Sequence, residues 1–133
     1  MIDIESEIFT ALKKELTENF PGIYVTGESV NAPPKFPCVS IEESDNYTPF
    51  RHIDSGDNEK YADLTYEVNV YSAKATGKKT EAKKIASVVS DWMYNHNFRR
   101  YFQKPVPNAQ DHTIYRIFAR YRAVTDGNHL YRR

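Results

Sequence analysis

The chain has 133 residues, the size of one domain, and its hydrophobic and charged fractions of 40% and 27% exclude a largely disordered polypeptide. Eighteen basic and eighteen acidic residues give a net charge of zero, which argues against a nucleic-acid-binding domain that is basic over its whole surface. No apolar run exceeds five residues, so no segment is predicted to cross a membrane. The lone cysteine, Cys38, cannot form an internal disulfide, which favours a reducing compartment.

The neutral total hides a strong asymmetry along the chain. Residues 1–63 carry 13 acidic and 5 basic side chains, a net charge of −8, whereas residues 98–133 carry 2 acidic and 8 basic side chains, a net charge of +6. Two halves of opposite sign favour either mutual neutralisation on folding or head-to-tail association of identical subunits. The sequence leaves both interpretations open.

The first half of the chain predicts one helix and two strands. Residues 3–20 form an amphipathic helix, since apolar side chains recur there at three- and four-residue steps. Residues 23–26 are a short β-prone segment, and the three prolines within 31–37 predict an extended connector. Alternation of apolar and polar residues predicts a half-buried strand at 38–43, and the polar stretch 44–60 predicts a long loop.

The central part of the chain gives the clearest strand and a second helix. In residues 61–72 the apolar positions alternate strictly with polar ones, which is typical of a strand. Residues 73–79 predict a turn, and Thr80 is the expected N-cap of a helix that runs to about residue 95. The apolar stripe of this helix is Ala82, Ile85, Ala86, Val89, Trp92 and Met93.

The last third of the chain predicts two further strands. Residues 98–103 form one strand, which the prolines from Pro105 onward are expected to end, and residues 112–124 form a long one. On the long strand Tyr115, Ile117, Ala119, Tyr121 and Ala123 share one face, and the arginines share the other.

The predicted order is therefore α-β-β-β-α-β-β. It indicates an α+β fold with a largely antiparallel sheet and two amphipathic helices on one face, whereas the other face is left uncovered. We expect a single α+β domain over 1–133, a mobile polar loop at about 46–60 and a short C-terminal tail at about 125–133.

The residues that could support catalysis or bind a metal are scattered. His52, His96, His112 and His129 show no metal-ligand spacing. Cys38 starts a strand, where a cysteine usually acts as a small buried hydrophobe. Glu42 and Glu43 are adjacent in a strand and so point to opposite faces, which argues against their acting together as a general acid and base. Neither a catalytic centre nor a metal or cofactor site is predicted.

Two groups of residues are candidates for contacts with other molecules. Arg116, Arg120 and Arg122 surround Phe118 on one strand face, which could form a subunit boundary, contact a partner protein or, as an alternative, bind nucleic acid. The polar loop carries a second candidate contact surface, formed by His52, Asp54 and Asp57.

Several stretches together carry a family resemblance. They are residues 36–41 (Phe-Pro-Cys-Val-Ser-Ile), 66–72 (Tyr-Glu-Val-Asn-Val-Tyr-Ser), the helix 81–93, and 111–116 (Asp-His-Thr-Ile-Tyr-Arg) with the Arg-Tyr-Arg of 120–122. In this combination the chain resembles the tail-terminator (tail-completion, head–tail neck) proteins of long-tailed bacteriophages and prophages.

This resemblance implies an α+β subunit that assembles into a homohexameric ring. The subunit could be a monomer before assembly, or it could form the ring directly. The ring caps the tail tube and joins it to the head connector, and DNA passes through it. The implied partners are other copies of the chain, the tail-tube protein and connector proteins. Neither contact with a membrane nor enzymatic activity is expected. The implied location is the host cytoplasm during assembly and the virion afterwards. A different head–tail joining role and a nucleic-acid-binding accessory domain stay open as alternatives.

Overall fold

The computed structural model describes residues 3–28, 33–47, 62–107, 113–126 and 130–132. It confirms an α+β protein with two helices, but the predicted order α-β-β-β-α-β-β is matched only in part, because a further strand follows at the end. The elements are α1 (Glu5–Asn19), β1 (Tyr24–Thr26), β2 (Cys38–Tyr47), β3 (Ala62–Ser72), α2 (Lys78–Asn95), β4 (Arg99–Pro107), β5 (Tyr115–Thr125) and β6 (Leu130–Arg132).

The strands form a mixed sheet in the order β1-β2-β3-β5-β4. The prediction of a largely antiparallel sheet is only partly matched, because β1 pairs parallel with β2 while the other pairings are antiparallel. Eleven residues separate β1 from β2 in the chain, close to the length that a parallel crossover requires. β3 pairs with β5 along the whole length of β5. On the other edge of β5, β4 pairs with Tyr115–Arg122 and β6 pairs with the remaining Ala123–Thr125.

Both helices pack on the same side of the sheet. The buried stripe of α2 packs across β3 and β5, and α1 packs against α2 and β2. Full burial of a large aliphatic side chain contributes roughly 1.5–3 kcal/mol, so this layer supplies most of the stabilisation. Its fully buried members include Leu12, Leu16, Ile41, Leu64, Tyr66, Val68, Ile85, Met93, Phe98 and Tyr121.

The register of β3 and β5 fixes which side chains share a face. Tyr66 lies opposite Tyr121 on the helix side, and Glu67 lies opposite Arg120 on the other side. This alternation confirms the predicted facing of both strands. The helix-free side is not simply an exposed surface, however, since Tyr71 on that side is also buried.

The strand β2 extends further than predicted. It runs to Tyr47, although polar residues from 44 onward predicted a loop. A bulge between Glu43 and Asp45 absorbs Ser44, whose hydroxyl donates to the carbonyl of Thr65. Pairing with β3 therefore outweighs the low strand propensity of these residues. The remainder of the predicted 46–60 loop lies outside the described residues.

Three further boundaries correct the sequence prediction. β4 continues through Pro105 because it is the last strand of the described sheet, where a missing N–H is tolerated. α2 starts at Lys78 after Gly77, whose left-handed φ of 83° makes the turn, so Thr80 is not the N-cap. The predicted tail contains β6, whose backbone pairs with Ala123–Thr125.

Neither of the described helices combines the length and the apolar content that a membrane span needs.

Candidate interaction surface

The arginines of β5 lie on the helix-free side of the sheet, among aromatic and polar side chains of the two neighbouring strands. We call this set the arginine face. It consists of Glu67, Asn69 and Tyr71 from β3, Arg116, Phe118, Arg120 and Arg122 from β5, and Tyr101, Phe102 and Lys104 from β4.

Arg120 is at the centre of the arginine face. Its Nη2 donates a 2.8 Å hydrogen bond to Glu67 Oε1, and its Cζ lies 5.3 Å from the ring centroid of Phe102 and 5.9 Å from that of Phe118. The two rings meet edge to face at 5.5 Å, and Lys104 Nζ lies 5.6 Å from the Phe102 ring. Aromatic and carboxylate contacts thus hold the guanidinium in one position.

The other two arginines are held by neutral partners. Arg116 Nε donates a 2.9 Å hydrogen bond to Asn69 Oδ1, and its Cζ lies 5.5 Å from the Tyr71 ring. Arg122 Nη1 donates a 2.8 Å hydrogen bond to the Tyr101 hydroxyl, and its Cζ lies 4.4 Å from the same ring. These contacts orient both guanidinium groups without neutralising their charge.

The sequence-predicted site residues fall into two groups. Arg116, Phe118, Arg120 and Arg122 share one face as predicted, and the structure brings them together with β4 side chains. Their aromatic partners Tyr101 and Phe102 were not predicted, because no local pattern in the sequence shows that β4 pairs with β5. His52, Asp54 and Asp57 lie outside the described residues.

A group of carboxylates lies at the opposite end of the sheet, where the start of α1 meets β2. Oxygens of Asp3, Glu5 and Glu43 lie within 4.8 Å of one another. Burial, followed by the charges of Glu5 and Asp3, raises the pKa of Glu43, although the Tyr66 hydroxyl that donates to its Oε1 at 3.2 Å acts in the other direction. We call these three carboxylates the acidic corner.

Each carboxylate of the acidic corner already accepts a hydrogen bond. Asp3 Oδ1 accepts from the backbone N–H of Glu5, and Glu5 Oε2 accepts from the backbone N–H of Glu43 at 2.9 Å. Oxygen ligands of this kind suit a hard cation such as Ca²⁺, but nothing further points to one, and no metal is assigned to them. No local sequence pattern marks this group, because Glu5 and Glu43 are 38 positions apart.

Cys38 is fully buried at the start of β2. Burial raises the pKa of its thiol to about 11. The thiol is therefore protonated at neutral pH, a state in which it is a poor nucleophile. This environment agrees with the prediction that the cysteine acts as a small buried hydrophobe.

In comparisons with known proteins, no protein-family model matches this chain, and none of the curated proteins matches it.

Proposed function

We propose that the chain is a structural subunit of a long-tailed bacteriophage or prophage, which caps the tail tube as a ring and joins it to the head connector. Several stretches of the chain resemble tail-terminator proteins, and this resemblance is the first support for the role. The proposal assigns the protein to assembly in the host cytoplasm and then to the tail end of the virion. No bond is made or broken in this role.

The arginine face is the observation that supports this function. Tyrosine and arginine are enriched among the residues that dominate binding energy at protein interfaces. Here Tyr101 is 44% exposed and stacks against Arg122. Because Glu67, Asn69 and Tyr101 already orient the three guanidinium groups, little side-chain entropy remains to be lost when a partner binds.

A protein partner fits this surface better than a nucleic acid does. Arg120 is paired with the Glu67 carboxylate, which would have to be displaced or shared when a phosphate binds. The net charge of the whole chain is zero, whereas domains that bind nucleic acid are commonly basic overall. A partner with carboxylate and carbonyl acceptors can instead use Arg116 and Arg122, whose hydrogen bonds within the described part of the chain go to the neutral groups of Asn69 and Tyr101.

The test is co-sedimentation of the purified full chain with polymerised tail-tube protein from the same genome. We expect the chain to bind at the tube ends, and Arg122→Glu to weaken this binding at least about tenfold. Lys83→Glu is the matched control, because it makes the same charge change at an exposed position of α2.

Three outcomes would contradict the proposal. Failure of the wild-type chain to bind the tube would remove the capping role. Binding to a connector protein but not to the tube would favour another head–tail joining role. Salt-sensitive binding of single-stranded DNA that Arg122→Glu abolishes would favour the nucleic-acid alternative.

A further inference from the structure

The two ends of the described sheet carry side chains of opposite charge. The acidic corner and the exposed Glu7 of α1 lie beside β2, near one end. The exposed side chains of Arg99, Arg100 and Lys104 lie on β4, at the other end. Three strand spacings, or about 14 Å, separate β2 from β4. These described side chains therefore differ in charge in the same sense as the two parts of the sequence.

The acidic end contains a cavity suited to a guanidinium group. The cavity has a volume of about 300 Å³, and Asp3, Glu5, Ser6, Phe9, Gly27 and Ile41 line it. Two carboxylates thus stand beside an aromatic ring and an aliphatic side chain. A planar guanidinium can donate two parallel N–H groups to a carboxylate while its flat face stacks on a ring, whereas an ammonium group has no flat face to stack.

A side chain rather than a strand covers part of the β2 edge next to this cavity. The pairing of β1 with β2 ends at Ser40. Further along, the backbone N–H of Glu43 donates to Glu5 Oε2. A carboxylate at this place disfavours addition of another strand, so a partner is expected to bind here through its side chains.

The basic end offers matching cations. Arg100 Nη1 donates hydrogen bonds of 3.4 Å to the Ser90 hydroxyl and 3.3 Å to Gln103 Oε1, both long and both to neutral acceptors. Exposed Tyr94, at 62%, lines the same cleft as Arg100, and tyrosine and arginine are enriched at interfaces. Pro105 lacks an N–H, so β4 too is suited to side-chain contacts rather than strand addition.

We propose that copies of this chain join head to tail, with β4 of one copy against the α1–β2 end of the next and the Arg100 side chain in the acidic cavity. The inference rests on the proposed function, since it names the contact by which the copies join. A heterologous contact leaves one acidic and one basic end free on every pair, so association continues until it closes. The β3 and β5 members of the arginine face lie outside this contact and stay available to another partner.

The experiment uses two variants of the full chain, each of which blocks one end. Arg100→Glu reverses the charge at the basic end. Ser6→Arg places a guanidinium in the acidic cavity from its own exposed helix position. Sedimentation velocity over a concentration series gives the state of association, circular dichroism verifies the fold, and Lys83→Glu controls for the change of charge.

We expect each blocked variant alone to associate at least about tenfold more weakly than the wild type. Their mixture is expected to form a pair that does not grow, because only one intact acidic end and one intact basic end remain. Salt should weaken wild-type association. Arg100→Gln, which removes the charge without reversing it, should also weaken it and provides a second variant if Arg100→Glu does not fold.

The inference would be overturned if both blocked variants associated as strongly as the wild type. It would also be overturned if their mixture stayed monomeric, or if the wild-type chain were monomeric at low salt. The two proposals can fail separately. If the chain binds the tube but the two blocked variants associate as the wild type does, only the head-to-tail contact is removed. Association through the ends without any binding to the tube would remove only the proposed function.

Discussion

Arg120 on β5 lies directly opposite Glu67 on β3, and its Nη2 donates a 2.8 Å hydrogen bond to Glu67 Oε1. The two side chains are 37% and 31% exposed, so this ion pair contributes at most about 1 kcal/mol to folding. Its main effect is positional, since it holds the guanidinium 5.3 Å from the Phe102 ring. Stability and partner binding can therefore be separated by substitution.

Arg120→Glu should place two carboxylates opposite each other across β3 and β5 and lower the free energy of unfolding by about 1 kcal/mol. The double variant Glu67→Arg/Arg120→Glu should recover this loss, because the pair is reformed with its ends exchanged. Binding to tail-tube protein should stay weak in both variants, since the guanidinium no longer lies on the β5 side of the pair. Chemical denaturation and co-sedimentation measure the two effects, and full recovery of binding in the double variant would contradict this assignment.

Glu43→Gln should stabilise the protein at neutral pH. Burial and the charges of Glu5 and Asp3 raise the pKa of Glu43 in the folded state, so the folded state binds the proton more tightly than the unfolded state does. The contribution of Glu43 to stability is therefore greatest at acidic pH and falls as the pH rises through the raised pKa. The amide resembles the neutral acid and should remove this dependence.

Thermal unfolding at about pH 4 and about pH 7.5 tests this expectation, because an ordinary glutamate titrates near pH 4.3. The variant should exceed the wild type in unfolding midpoint only at the higher pH. Glu42→Gln is the matched control, because its side chain points to the other face of β2, away from the acidic corner. An equal gain at both pH values would show that the charge of Glu43 is not responsible.

Native Cys38 should resist alkylation. The rise of its pKa from 9.0 to about 11 lowers the thiolate fraction at neutral pH roughly 100-fold, and complete burial blocks access as well. Mass spectrometry after treatment with iodoacetamide should detect the adduct only when denaturant is present. Rapid modification of the folded chain would mean that the start of β2 opens readily.

Leu12→Ala should destabilise the fold by about 2–5 kcal/mol, because it leaves a cavity between α1 and the sheet where the leucine is fully buried. Lys13→Ala, at the next and exposed position of the same helix, should change stability by less than about 0.5 kcal/mol. Denaturant unfolding of both variants checks the contrast. A small loss at Leu12 would mean that α1 contributes little to the core.

Periodicity predicted those elements whose apolar residues repeat without interruption. Every member of the α2 stripe from Ala82 to Met93 is buried as expected, and the alternation in β3 and β5 assigned their core faces correctly. It could not find the end of β2 at Tyr47 or the strand β6, because both depend on pairing with a distant strand rather than on local propensity. The parallel direction of β1 likewise depends on a crossover that leaves no periodic signal.

The candidate surface was predicted only in part, because periodicity reveals which side chains of one strand share a face but not which strands lie beside it. Three arginines at alternating positions of one strand reveal their common face, but their partners Glu67 and Tyr101 come from other strands. The acidic corner could not be anticipated, because the packing of α1 on the sheet brings Glu5 to Glu43. Adjacent Glu42 and Glu43 were correctly placed on opposite faces, but the sequence did not reveal what Glu43 meets there.

The central position of the β3–β5 pair has a consequence for how the protein folds. α2 and β4 lie between these strands in the chain, so Glu67 and Arg120 are 53 positions apart although they are neighbours in space. The entropy of closing so long a loop has to be overcome before the ladder can stabilise it. The β4–β5 hairpin is therefore expected to form first, and the docking of β3 on it to limit the rate of refolding.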